Sequence, residues 1–315
     1  MIALLAPGQG AQSPGMLSPW LALAGVEDRI AEWSEVAQLD LRQLGTTADA
    51  EEIKDTAVTQ PLVVALSLLA AEELIRRLDL PADTPVAGHS VGELAAAAVA
   101  GVLTAEEAIA LAAVRGREMA AACSLWPTGM SAVLGGDPDK VLAALATLGL
   151  ELANHNGAGQ LVAAGRLEDL AELAQHKPDQ SRVRALPVAG AFHTRYMAPA
   201  ERALAQCAAE LTAKDPAYPL LSNADGSVVA DGAEILHRLV VQVTKPVRWD
   251  YCMATLRALD VYATVELPPA GTLSGLVKRE LRGTTTLALK TPEDLDKVAG
   301  VLGEHTRTDR HGTPA

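Results

Sequence analysis

The pentapeptide Gly88-His89-Ser90-Val91-Gly92 restricts the fold of this chain more than any other segment. It follows a short apolar stretch, Pro85-Val86-Ala87, and opens an Ala-rich segment that runs as a helix through Ala100. A G-x-S-x-G turn between a strand and a helix is a sharp elbow whose glycines remove side chains from a crowded bend and lift the serine hydroxyl above a sheet. An α/β framework with a core strand under Ser90 is therefore expected. Val91, in the first helical turn, can offer its backbone N–H to a developing oxyanion. The bare pattern also fits a purely structural turn, and Glu93 is read as favouring the helix N-terminus, where negative charge is stabilised, rather than as a base.

A second glycine turn sits at the start of the chain. Met1–Ala6 is too short to cross a bilayer and has no basic segment before it, so it reads as a buried strand. Pro7 ends it, and Gly8-Gln9-Gly10 follows, where glycine lets backbone N–H groups approach a ligand. A tight loop is the alternative. Neither a G-x-G-x-x-G fingerprint nor a Walker A sequence follows, so the expected nucleotide signals are missing.

The net charge of −13 argues against nucleic acid or an anionic membrane as the partner. With one Phe, four Trp and four Tyr, a core for these 315 residues must be built mainly from Ala, Leu and Val. Cys123, Cys207 and Cys252 are far apart without paired ligand spacing, which suits reduced thiols in a cytosolic enzyme and no metal site.

Periodicity predicts a buried helix over Gln60–Leu78 and another over Glu106–Ala122, with Arg115, Met119 and Ala122 at helical spacing. After Trp126-Pro127-Thr128-Gly129 the rhythm changes. Strand Met130–Leu134, helix Pro138–Leu148, strand Leu150–Asn154, strand Gln160–Ala164, helix Leu167–Gln175 and strand Arg182–Val188 give a β-α-β-β-α-β order, the split βαβ pattern of a small two-layer unit. The expected organisation is a discontinuous large domain, 1–126 and 191–305, with an inserted domain at 127–190 and a loose polar tail at 306–315.

A serine hydroxyl needs a base. His89 is beside Ser90 but on the sharp turn, His155 is on a candidate binding strand, and His176 and His237 fall on helical segments. His193, in Gly190-Ala191-Phe192-His193-Thr194, joins the small unit to the returning large one and can face a cleft between them. Spacing along the chain leaves its distance from Ser90 open.

Together these segments resemble the malonyl-CoA:acyl-carrier-protein transacylases and the related acyltransferase domains of polyketide synthases. The resemblance extends from Gly8-Gln9-Gly10 almost to Gly275-Leu276-Val277-Lys278-Arg279. It implies an α/β-hydrolase-like large domain with a parallel core sheet and an inserted ferredoxin-like small domain. It also implies Ser90 and His193 as the catalytic pair, with backbone N–H groups of Gln9 and Val91 as the oxyanion hole. Arg115, in Arg115-Gly116-Arg117-Glu118-Met119, matches the arginine that pairs with the malonyl carboxylate. Gln60, Asn154 and Asn156 match residues bordering the acyl pocket. Phe192 matches members that select malonyl over methylmalonyl groups. A backbone carbonyl, expected near Lys245-Pro246-Val247-Arg248-Trp249, would orient His193 in place of an acid; Lys245 replaces an Asn that is frequent in relatives.

The implied reaction moves malonyl from malonyl-CoA to the phosphopantetheine thiol of acyl carrier protein through a Ser90 ester, with no cofactor, in a cytoplasmic monomer. A hydrolase using the same elbow, or a noncatalytic carrier-binding protein, are the competing readings. Lys278, Arg279, Arg195, Lys245 and Arg248 are the candidate contacts for an acidic carrier.

Overall fold

The structure is a computed structural model that describes residues 1–302; the tail expected at 306–315 lies outside the described residues. Its strands are β1 (Ile2–Ala6), β2 (Val86–Gly88), β3 (Thr128–Gly135), β4 (Glu151–His155), β5 (Gln160–Arg166), β6 (Ser181–Ala185), β7 (Leu220–Leu221), β8 (Val228–Val229), β9 (Val247–Arg248), β10 (Ala263–Glu266) and β11 (Thr285–Ala288). They form two sheets.

The first sheet runs β11-β10-β1-β2-β7-β8 and is parallel except for its edge strand β8. Every residue of β1, Ile-Ala-Leu-Leu-Ala, is buried. A continuous apolar run of this kind belongs to a strand covered on both faces, as parallel sheets are. Ile2 and Leu4 contribute to one large apolar cluster, whereas Ala3 and Leu5 contribute to another, so alternate side chains of β1 reach opposite layers.

Helix Thr56–Arg77 supplies much of the larger cluster. It begins four residues earlier than the periodicity predicts, because Asp55 caps it, its side chain accepting from Ala57 N at 2.8 Å. Pro61 is accommodated inside the helix. Length and composition would let this helix cross a membrane, yet 78 % of its most apolar stretch is buried within the protein. Ala105–Cys123 packs beside it and starts with a capping box made by Thr104 and Glu107.

The second sheet runs β6-β3-β5-β4-β9. Its first four strands are antiparallel neighbours with helices Pro138–Thr147 and Leu167–Gln175 between them in the chain, the ferredoxin-like arrangement. The fifth strand comes from elsewhere: β9 pairs parallel with β4, matching Asn154 with Val247 and His155 with Arg248. The small sheet is thus continued by a strand from the C-terminal part of the chain. Two residues are too short for an alternation signal, so β9 and β8 escape a sequence reading, whereas the apolar Leu220-Leu221-Ser222 reads as a strand returning to the main sheet and is β7. A cleft of about 500 Å³ separates the two sheets' layers and is lined from both sides.

Candidate active site

The site is built at the carboxyl ends of β1 and β2, where ligands of open parallel sheets bind. A Cβ on Gly88 would lie 2.1 Å from Gly92 O, and one on Gly92 only 2.3 Å from Ala6 O. Both glycines are therefore required by backbone contact, the first within the elbow and the second against β1. Gly8 is equally restricted, since its Cβ would meet His89 O at 2.6 Å. The two glycine turns touch, and the elbow holds Ser90 in the left-handed region at φ +54°. For a residue other than glycine this costs ~1–3 kcal/mol and persists only where the surroundings enforce it.

Ser90 Oγ lies 2.7 Å from His193 Nε2. The imidazole's other nitrogen, Nδ1, lies 2.8 Å from the backbone carbonyl of Gln242. Because a carbonyl only accepts, Nδ1 carries the proton and Nε2 is left as an acceptor toward the serine. The orienting carbonyl is three residues upstream of the Lys245–Trp249 segment where it was expected, in the 3-10 turn Gln242–Thr244. His193 is also left-handed, at φ +61°. Burial, reinforced by the nearby Arg115 charge, pushes its pKa down to about 3, so the ring is neutral at physiological pH and able to accept a proton.

Arg115 is almost completely buried. Its guanidinium donates to Gln60 Oε1 at 2.6 Å, Gln242 Oε1 at 3.0 Å and Ser90 Oγ at 3.3 Å. Burial lowers its pKa to about 10, which leaves it charged at neutral pH. Among the described residues no carboxylate forms a salt bridge with it. Its direct partners are neutral acceptors that fix its geometry, while the charge of buried Glu93, which it does not touch, partly offsets the effect of burial on its pKa; the fork is left without a directly bound carboxylate.

Behind the serine lies a polar network that the motifs did not reveal. Asn223 Oδ1 accepts from Ser90 N at 2.9 Å, and its Nδ2 donates to Gly88 O at 2.7 Å, so one amide grips both sides of the elbow. Glu93 is buried, accepting from Asn223 N at 2.7 Å and from Gln242 Nε2. Asn223 directly follows Leu220-Leu221-Ser222 at the carboxyl end of β7, a position that could have flagged it. Gln242 carries no comparable sequence signal, since its role depends on partners 49 and 127 residues away.

The remaining predicted residues line or adjoin the same space. Gln9 and Gln60 border the cleft with Phe192, Asn154 and Asn156. The backbone N–H groups of Gln9 and Val91 make no hydrogen bond to an acceptor among the described residues. His89 Nε2 lies 2.9 Å from Asn156 Oδ1, bridging the elbow to the turn between β4 and β5, with its ring against Trp249. His155 approaches Asp250, and His176 pairs with Glu172 on an exposed face. Among the described residues no group of three or more His, Cys, Asp or Glu side chains is placed to hold a metal ion.

Comparison with known sequences places the chain in a family. The model of the acyl transferase domain family matches residues 4–311. The malonyl CoA-acyl carrier protein transacylase of Mycobacterium tuberculosis is 60 % identical over 302 residues, 96 % of this chain and 100 % of that protein. This chain belongs to the acyl transferase domain family, among the malonyl-CoA:acyl-carrier-protein transacylases. The Escherichia coli transacylase is 32 % identical over 297 residues, covering 92 % of this chain and 96 % of its own. The crystal structure of the M. tuberculosis protein superimposes with a TM-score of 0.92, covering 95 % of this chain and 99 % of that one. A malonyl-transacylase solved in complex with its type II PKS acyl-carrier protein has a TM-score of 0.88 at 29 % identity, covering 93 % and 97 % of the two chains. In this acyltransferase the cleft mouth is bordered by exposed Arg279, which donates to Gln160 Oε1 at 3.3 Å. Arg195 and Arg248 are paired with Glu151 and Asp250, whereas Lys245 and Lys278 are exposed.

Proposed function

We propose that this chain transfers malonyl from malonyl-CoA to the phosphopantetheine thiol of acyl carrier protein through an ester on Ser90. The observation that carries the reading is Arg115: a buried guanidinium held only by neutral acceptors, 3.3 Å from Ser90 Oγ. An acyl group bearing a free carboxylate supplies the missing anion, and the planar fork retains N–H donors for it beyond those given to Gln60, Gln242 and Ser90.

Ser90 Oγ attacks the thioester carbonyl carbon as His193 Nε2 takes its proton. The carbonyl oxygen becomes an oxyanion beside the N–H groups of Gln9 and Val91; loss of one such donor costs ~3–4 kcal/mol in comparable sites. The intermediate collapses, CoA sulfur leaves, and Nε2 returns the proton to it. In the second half the carrier thiol gives its proton to Nε2 and attacks the ester, and Ser90 Oγ leaves and recovers a proton. Gln242 O holds the imidazole throughout, stabilising the imidazolium by its dipole. Phe192, part-lining the cleft, limits room for an α-methyl group, a preference worth ~1–3 kcal/mol.

The division into a large unit, 1–126 with 191–305, and an inserted unit, 127–190, belongs to the same proposal. It is supported by β3–β6 falling within the insert, and the substrate would lie between the units. A cytoplasmic location is also proposed, in keeping with free Cys123, Cys207 and Cys252.

Intact mass measurement after malonyl-CoA treatment, followed by addition of holo carrier, tests the mechanism. The protein gains one malonyl group, which then passes to the carrier, and Ser90→Ala gains none. Absence of the adduct on the unaltered protein, with malonyl-CoA shown to bind, would sink the proposal.

A further inference from the structure

The geometry points to Glu93 as a positioning residue that sets the base and the carboxylate clamp together, acting through Gln242. This inference rests on the Ser90, His193 and Arg115 reading above. Glu93 touches none of these three side chains through a hydrogen bond, but Gln242 touches two. Its backbone carbonyl accepts from His193 Nδ1 at 2.8 Å, and its side-chain Oε1 accepts from Arg115 at 3.0 Å. Its Nε2 donates to Glu93 Oε2 and, at 3.2 Å, to Asn223 Oδ1. Glu93 Oε1 accepts from the backbone N–H of Asn223, the residue that grips the elbow.

The polarity of this relay follows from one property of an ionised carboxylate: both oxygens only accept. Facing Glu93, the Gln242 amide must present its NH2 end, and so must present its oxygen to Arg115. A group at position 93 that donates would reverse the amide or break the contact. Reversal would turn an NH2 group toward the guanidinium, donor against donor, and loosen the group that meets the malonyl carboxylate. The buried carboxylate thus writes its direction onto the clamp from the side remote from substrate.

Protonation should act as a milder version of the same change. Burial pushes the Glu93 pKa up to about 7, against hydrogen bonds from Asn223 and Gln242 and the charges of Arg115 and Arg238. Those arginines face it from the Ala105–Cys123 and Gly232–Val241 helices. From the Trp249–Ala258 helix comes Cys252, whose thiol burial keeps neutral. As pH falls through about 7, Glu93 gains an O–H and ceases to be acceptor-only. His193, held near 3, remains neutral over that interval.

The test compares malonylation and acetylation rates of the full chain by rapid mixing and intact mass. For Glu93→Gln the expected result is malonylation slowed about 10- to 100-fold, as the loss of the partners behind metal ligands does, with acetylation slowed much less. The malonyl-to-acetyl ratio of the unaltered protein should fall as pH drops from about 8 to about 5.5, and that of Glu93→Gln should be flat. In an Arg115→Ala background the Glu93 change should move the ratio no further, because the clamp it directs is gone. A role in folding alone would depress both acyl groups equally and leave the ratio in place. The inference is overturned if Glu93→Gln retains the original ratio and pH profile. Should that variant not fold, a ratio independent of pH in the unaltered protein overturns it instead. Ser90→Ala, run in parallel, separates the two levels: an adduct on that variant refutes the serine reading itself.

Discussion

Arg115 and His193 are both buried cationic side-chain types, and burial has opposite consequences for them. His193 gives up its charge, with a pKa near 3, as the proposed base requires; Arg115 keeps its charge, with a pKa near 10, as the proposed anion receptor requires. Arg115→Ala is expected to reduce malonyl-CoA acylation by about 100-fold or more while sparing acetyl-CoA, as a lost buried charge-assisted bond of ~3 kcal/mol requires. Competition between the two thioesters measures it. Arg115→Lys should recover little, because a single ammonium cannot meet Gln60, Gln242 and a carboxylate together. The depressed His193 pKa also bears on stability. In the unfolded chain the ring titrates near 6.5, so its neutral burial stabilises fully above that pH and progressively less as pH falls toward 3. Urea denaturation at several pH values should show His193→Gln losing less stability than the unaltered chain across that window. Ser90, His193 and Arg115 were visible as residues because each sits in a compact motif. Their partners were not: the Gln242 carbonyl and the Asn223 amide act across long separations, and nothing local marks a backbone oxygen as the orienter of an imidazole.

At the scale of elements, the strand-to-helix elbow has the least tolerance. Gly92→Ala would put a methyl 2.3 Å from Ala6 O and 2.5 Å from Pro7 O, both backbone atoms that cannot step aside independently. Destabilisation of about 3 kcal/mol is expected from such overpacking, with activity falling in parallel as β1 and the serine turn are forced apart. Gly149→Ala supplies the contrast. It meets no atom within 4 Å and carries only the strain of φ +68°, so a loss of about 1 kcal/mol is expected. Denaturant titration of the two variants distinguishes crowding from backbone strain. Asp55→Ala should cost about 1 kcal/mol by uncapping the Thr56–Arg77 helix. The β-α-β-β-α-β order was legible because each element is long enough to express its period and is punctuated by Gly or Pro. The early start of the Thr56–Arg77 helix was not, since Pro61 looks like a first-turn residue until Asp55 is recognised as the cap. Strands of two residues have no period to read; β8 and β9 exist because their neighbours hold them, and β7 was legible only as a short apolar run.

For the whole molecule, charge and shape meet at the cleft mouth. A net charge of −13 repels an acidic carrier at a distance, so we propose that productive approach uses the exposed cations of helix Thr272–Glu280, Lys278 and Arg279. Replacing both with Glu is expected to raise the KM for carrier several-fold at low salt, and less at high salt, while leaving acylation by malonyl-CoA at millimolar concentration close to normal. Steady-state transfer assays at two ionic strengths check this. An equal loss in both half-reactions would show that the helix shapes the site rather than meeting the partner. The pairing of β9 with β4 adds a mechanical constraint, because the small sheet is attached by a hydrogen-bonded strand as well as by the chain entering and leaving it. Relative movement of the two layers is therefore anchored beside Asn154 and His155, while the β6 edge is free of that tie.

The left-handed backbones of Ser90 and His193 have an evolutionary consequence. Both reactive atoms are aimed by main-chain geometry and by the Gln242 carbonyl, whereas Met130, Asn154 and Val162 of the cleft wall belong to the second sheet and Asn156 to the turn joining two of its strands. Mutations in that wall can redraw the shape offered to the acyl group without re-aiming the nucleophile. A lineage with this architecture can therefore diversify its choice of building block by small steps, each passing through a working enzyme.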